Sequence, residues 1–128
     1  MQEPTPIKSI LEQKFKDLEK QGKTIAFYGA DPLSSGGYTQ VPNVVLVSNK
    51  ISSGAKLTYA MLLKYAWEKN YSYPGQERLA KDMGTTSRSV RTYLNELEKK
   101  EFIFIKQRGL GKTNLYILNF QIKPVYKK

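Results

Sequence analysis

With 128 residues, the chain is long enough for one domain with a real core and too short for two large ones. It has neither cysteine nor histidine, which excludes disulfides, thiolate metal sites and the usual zinc ligands. Its 21 basic and 11 acidic residues give a formal charge of +10, a balance that favours a polyanionic partner such as DNA, RNA or an anionic membrane surface.

Residues 1–5 are polar and rich in proline, without the basic segment and apolar core of a secretory signal. No apolar run approaches the roughly 20 residues needed to span a bilayer, so a cytoplasmic protein without a membrane partner is expected. From Pro6 onward, Ile7, Ile10, Leu11, Phe15 and Leu18 recur at three- and four-residue steps, which puts them on one stripe of a helix ending at the Gln21-Gly22 pair. The stripe has two readings: it packs on the chain's own core, or it is an interaction helix that meets a second copy or another protein.

Between residues 22 and 37, Gly29, Asp31-Pro32, Ser34-Ser35 and Gly36-Gly37 surround a short apolar patch at Ile25, Ala26, Phe27 and Tyr28. That punctuation implies a loop. Residues 1–37 therefore read as an N-terminal helix and Gly/Ser-rich loop, residues 38–120 as the main domain, and residues 121–128 as a basic tail. Residues 38–47 read as extended, with Pro42 restricting them to an edge or the start of a strand beside the later strands.

Ser52 or Ser53 can cap a helix that runs to about Trp67, with Leu57, Tyr59, Ala60, Leu62, Leu63 and Ala66 as its apolar surface. Tyr65 and Trp67 stand near its end, before Tyr71 and Tyr73 in a turn-rich stretch. These aromatics read as core and rim packing ahead of a stacking platform for bases. Residues 76–83 form one short helix with Leu79, Ala80 and Met83 inward, and Gly84 ends it because glycine takes the left-handed conformation at no steric cost. Across the turn Met83-Gly84-Thr85-Thr86, Thr86 is placed as the N-cap of a second helix in which Val90, Leu94 and Leu97 are buried and Tyr93 flanks them.

Two helices joined in this way are the parts of a helix-turn-helix, in which the first braces and the second presents its far face to a groove. That face carries Ser87, Arg88, Ser89, Arg91, Thr92 and Asn95. Arginine can hold a guanine edge through two parallel donors and asparagine an adenine edge, so Arg88, Arg91 and Asn95 are the base-reading candidates. Ser87, Ser89 and Thr92, near the positive end of the helix dipole, suit phosphate oxygens. Lys99 and Lys100 close the helix at the negative end of its dipole.

Residues 102–105 and 114–118 are rich in β-branched and aromatic side chains, and the glycine-containing segment between them reads as a hairpin carrying Lys106, Arg108 and Lys112. Such a basic hairpin can lie over the phosphate backbone or enter the minor groove, so these three join the phosphate candidates. Residues 51–128 hold fifteen basic and six acidic side chains, against six and five in residues 1–50, so the positive footprint coincides with these elements. The tripeptide Gly111-Lys112-Thr113 fails as a phosphate-binding loop, because the required glycine five residues before Gly111 is Lys106 and a strand follows where a helix is needed. No nucleophile has an evident base, so no catalytic site, metal or cofactor is expected, and the protein reads as non-enzymatic.

The resulting fold class is mainly α with a small antiparallel β wing (α+β): a winged helix-turn-helix with an N-terminal helical extension. Residues 41–45, 53–67, 74–80 and 87–98 resemble the winged-helix domains of bacterial plasmid, phage and integrative-element proteins, akin to the N-terminal domains of plasmid replication initiators and DnaD-type primosome proteins. The similarity covers residues 41–118. It implies double-stranded DNA binding in replication initiation, conjugative transfer or transcriptional control of a mobile element, with the recognition helix over residues 87–101. The alternative it implies is a protein-interaction module that binds replication or conjugation proteins and contacts DNA weakly. A homodimer is the expected stoichiometry, since one short helix reads only a few base pairs and two-fold repetition is the common remedy.

Overall fold

Helix boundaries follow local chemistry in the computed structural model, which describes residues 6–29, 36–67 and 75–122. The order is α1 (Pro6–Gln21), α2 (Asn43–Leu46), α3 (Ser53–Trp67), α4 (Gln76–Met83), α5 (Ser87–Lys99), β1 (Ile103–Lys106) and β2 (Leu115–Leu118). Between Tyr38 and Thr39 the chain divides into two compact units.

The first unit is built on α1. Proline suits its first turn because the missing N–H would find no intrahelical acceptor there. The helix ends at Gly22 (φ 68°), where the Gly22 N–H donates to the Glu19 carbonyl (3.2 Å) and the Lys23 N–H to that of Leu18 (3.0 Å). This paired closure is a Schellman motif and reverses the chain. The returning segment lies along one flank of the helix. Lys14 Nζ donates to the Phe27 carbonyl (2.9 Å), and a groove of about 320 Å³ runs between Leu11, Phe15 and Leu18 and the residues from Thr24 to Tyr28.

The second unit has a continuous core in which Tyr59, Leu63, Leu79, Val90, Leu94, Leu97, Phe102 and Ile103 are fully buried. α3 packs against α4, α5 and β2, while α5 packs on β1. β1 and β2 pair antiparallel with Ile103 opposite Leu118 and Lys106 opposite Leu115, forming a two-stranded sheet. Period-two alternation turns Ile103, Ile105, Tyr116 and Leu118 toward the core and leaves Phe104 and Ile117 exposed.

Two sequence expectations are corrected here. The segment at 38–47 does not join the sheet. After Pro42 (φ −58°, ψ 137°) it coils into the single turn of α2, with the Leu46 N–H donating to the Pro42 carbonyl (3.2 Å) and that of Val47 to Asn43 (2.9 Å). Proline supplies no ladder donor, and the turn drives Val45 into the core, so tertiary packing overrides the β propensity of the valines. The apolar face of α3 is also rotated from the expected one. Leu57 and Ala66 are exposed, whereas Thr58 and Tyr65 are buried. Both polar atoms are satisfied: the Thr58 hydroxyl donates to the Gly54 carbonyl (2.8 Å), and the Tyr65 hydroxyl donates to the Asp82 carboxylate on α4. The expected Met83 contact is present, half-buried against the core.

Of the two serines that could cap α3, Ser52 does so, its hydroxyl accepting from the Ala55 N–H (3.2 Å). Glu96 of α5 grips the same residue, with Oε1 accepting from the Ser52 hydroxyl (2.7 Å) and Oε2 from the Ser52 N–H. The clasp ties the start of the central helix to the middle of α5. Close by, α3 and α5 approach so nearly that a Cβ on Gly54 would lie 2.1 Å from Cζ of Tyr93. Tyr71, Tyr73, residues 1–5 and residues 123–128 of the tail lie outside the described residues.

Candidate nucleic-acid interface

The interface is assembled by two helix termini and one hairpin. α4 stops at Gly84 in the left-handed conformation (φ 72°, ψ 35°), with the Thr85 N–H donating to the Ala80 carbonyl (2.9 Å) and the Gly84 N–H to Lys81 (3.2 Å). Two residues later Thr86 is extended (φ −101°, ψ 157°), and its hydroxyl oxygen accepts from the Ser89 N–H (3.1 Å), starting α5. The tightness of this turn fixes the angle between α4 and α5, which also pack directly on one another. Val90, Leu94 and Leu97 are buried beneath α5, with Tyr93 half-buried beside them.

The opposite face of α5 faces solvent. Arg88, Arg91, Thr92 and Asn95 are exposed, and Ser87 and Ser89 are half-buried near the helix start. The two serines and Thr92 differ in what they leave available. Ser89 Oγ accepts from the Thr86 hydroxyl (3.1 Å), and Thr92 donates back to the Arg88 carbonyl (3.2 Å). The charged side chains of Arg88, Arg91, Lys106 and Lys112 make no hydrogen bond or ion pair with another described residue, so their charges are left unneutralised.

At its C-terminus α5 ends in a second Schellman closure, the Phe102 N–H donating to the Leu97 carbonyl (2.8 Å) and the Glu101 N–H to Glu98 (3.0 Å). The left-handed position falls on Glu101 (φ 62°), where the sequence offers no glycine. Leu97 and Phe102, both buried, close over this turn and aim the chain directly into β1. The hairpin loop is held from within: Arg108 Nε donates to the Thr113 carbonyl (2.8 Å) and Nη2 to the Thr113 hydroxyl (3.2 Å). Arg108 therefore braces the loop, while Lys112 is presented at the surface.

Helix and hairpin meet across a cleft of about 410 Å³. Ser87 and Arg91 contribute from α5, Gln76 and Glu77 from the start of α4, and Lys112, Asn114 and Tyr116 from the hairpin. The structure thus brings three sequence candidates together and leaves Arg88, Thr92, Asn95 and Lys106 on the surface outside this cleft. Asn114 and Tyr116 are not among the sequence candidates, although Asn114 directly precedes β2 and residues two apart along an extended chain share a face. Burial pushes the Tyr116 phenol above the usual tyrosine range, and a hydrogen bond with Asn114 opposes that shift. The cleft is open to solvent and holds two cations, Arg91 and Lys112, with one carboxylate, Glu77.

The second unit has the architecture of a winged helix-turn-helix: brace α4, turn, recognition-type helix α5, and the β1–β2 hairpin as the wing. Residues 49–103 match the family model of a helix-turn-helix domain. No curated protein matches the chain. Among solved structures it is similar to a Rep–DNA complex, with a TM-score of 0.51 and 20% identity over 80% of this chain and 88% of that one. It is also similar to the N-terminal domain of a DNA-binding protein (TM-score 0.49, 19% identity, 82% of this chain and 88% of that one). An MDR initiator gives a TM-score of 0.47 at 19% identity, over 80% of this chain and 90% of that one. At these identities the likeness is one of fold.

Proposed function

We propose that this chain binds double-stranded DNA, with α5 in the major groove and the β1–β2 wing against the adjacent backbone. The observation that carries the reading is the cleft, in which Arg91 and Ser87 of α5 face Lys112 of the wing. A phosphodiester strand seated in the cleft would meet Lys112 of the wing and the Ser87 hydroxyl of α5, with Arg91 beside it free to reach a base edge. The base-reading roles go to Arg88, Arg91 and Asn95, whose side chains are exposed along one face, and the phosphate roles to Ser87, Lys106 and Lys112. Ser89, Thr92 and Arg108 serve mainly to hold the helix start and the loop, since each already has an internal partner. Replication initiation of a plasmid or similar element is the process we place first, supported by the likeness in fold to a Rep bound to DNA and by the motifs at residues 53–67 and 87–98.

The test is selection of bound duplexes from a random library, followed by the same selection with Arg91→Ala. A shared sequence motif should emerge, and the variant should lose about 1–3 kcal/mol of binding while relaxing preference at one position. An equal loss on all sequences would move Arg91 to the phosphate contacts, and the absence of any enriched motif would remove the base-reading role from α5.

A further inference from the structure

The loop of the wing leads with an apolar side chain where a phosphate clamp would carry a cation. Between Lys106 and Leu115 the sequence is Gln-Arg-Gly-Leu-Gly-Lys-Thr-Asn, so Leu110 is its one large apolar residue. Leu110 is 103% exposed, with Gly109 (φ 99°) and Gly111 (φ 77°) on either side of it. The Lys112 N–H donates to the Gly109 carbonyl (3.3 Å), closing a tight turn at whose first corner Leu110 stands. One arm of the loop is tied to the other by Arg108, whose guanidinium bonds the carbonyl and hydroxyl of Thr113. That brace commits the nearest cation to the loop and holds the tip in one shape, so a partner meets the leucine without first ordering the chain around it.

The neighbours of Leu110 identify what it meets. Lys112, two residues on, lines the cleft with Ser87 and Arg91 of α5, and Lys106 stands exposed on the other arm. On the DNA-binding reading, on which this inference rests, Lys112 sits on a phosphate, and Leu110 lies within about 7 Å of it along the chain. The minor groove is only about 6 Å wide, so a tip that far past the phosphate rim comes over the groove. Leucine has no hydrogen bond to offer there, but it can press between two base pairs and bury its methyl groups against the unstacked faces. A bilayer is the poorer match, because one leucine is a small anchor where even a whole acyl chain binds reversibly. We propose that Leu110 is a wedge that enters the minor groove beside the α5 site, partly unstacks one base step and bends the duplex toward the major groove. Pyrimidine–purine steps open most readily, so the wing selects TA or CA at a position that no side chain hydrogen-bonds.

Energy transfer across an end-labelled duplex of about 30 base pairs, drawn from the pool that the full chain retains, tests the bend. The wild type should bend it by about 20–90°, and Leu110→Ala should leave it nearly straight, with affinity about tenfold lower. Leu110→Met, which keeps a wedge, should keep the bend, whereas Lys112→Ala should weaken binding with the bend unchanged. Because Leu110 is fully exposed, neither of its variants should move the urea midpoint. Selection repeated with Leu110→Ala should lose the TA or CA preference and keep the bases read by α5. A straight duplex in the wild-type complex, or one bent equally by Leu110→Ala, would overturn the wedge and leave DNA binding standing. If the chain retains no duplex, the DNA-binding reading and the wedge fall together. Leu110-dependent binding to vesicles of anionic lipid, beside a straight duplex, would assign the tip to a membrane instead.

Discussion

Single residues set where the recognition-type helix begins and how the core responds to pH. Thr86 supplies the cap of α5 with one hydroxyl, so Thr86→Ala should cost about 1 kcal/mol in urea unfolding, and Thr86→Ser should restore most of it. Tyr59 is fully buried and donates to the Asn119 carbonyl (3.0 Å), and burial pushes its pKa from 10.0 up to about 12. Tyr65 is raised in the same direction, first by burial and then by the neighbouring Asp82 carboxylate. For a group that is neutral when protonated, a raised folded pKa gives stability that is full below the unfolded value and is lost as pH climbs toward the folded one. The urea midpoint should therefore hold steady through neutral pH and fall from about pH 10 toward 12, with a shallower fall in Tyr59→Phe. A midpoint that does not change across that window would contradict the buried, neutral phenols described here.

At the scale of elements, the crossing of α3 and α5 rests on a glycine. Gly54 leaves room for the ring of Tyr93, and a methyl group there would overlap it. Gly54→Ala should destabilise the wild type but stabilise a Tyr93→Ala background, where only the gain in helix propensity remains. A double-mutant cycle on unfolding free energies reads the difference in sign. Those same helices show what the sequence discloses. α4, α5 and the wing were legible because their signals are local: Gly84 after Met83, Thr86 before Ser87, and period-two runs on either side of two glycines. The clasp of Ser52 by Glu96 and the bond from Tyr65 to Asp82 were not legible, since each joins residues far apart in the chain whose chemistry alone names no partner. α2 was misread because valines that favour strands are overruled when one turn of helix buries Val45. In the candidate site, the basic residues could be named in advance, while the internal partners of Arg108 and Thr92 required the fold.

For the whole molecule, the formal charge of +10 predicts affinity for any polyanion, so binding by itself says little. What distinguishes a reading helix from a basic surface is how affinity divides between sequences and how it responds to salt. Lys112→Ala should weaken binding uniformly and lower the salt slope by about one, because it removes a single phosphate contact. Among the described residues no helix is long and apolar enough to cross a membrane. The most direct measurement is fluorescence anisotropy of the full chain with a duplex carrying the selected motif, a scrambled duplex and the corresponding single strand, each across a salt series. Base reading by α5 predicts tighter binding to the motif duplex that persists as salt rises while the other two fade. Equal affinity for all three, erased together by salt, would contradict it.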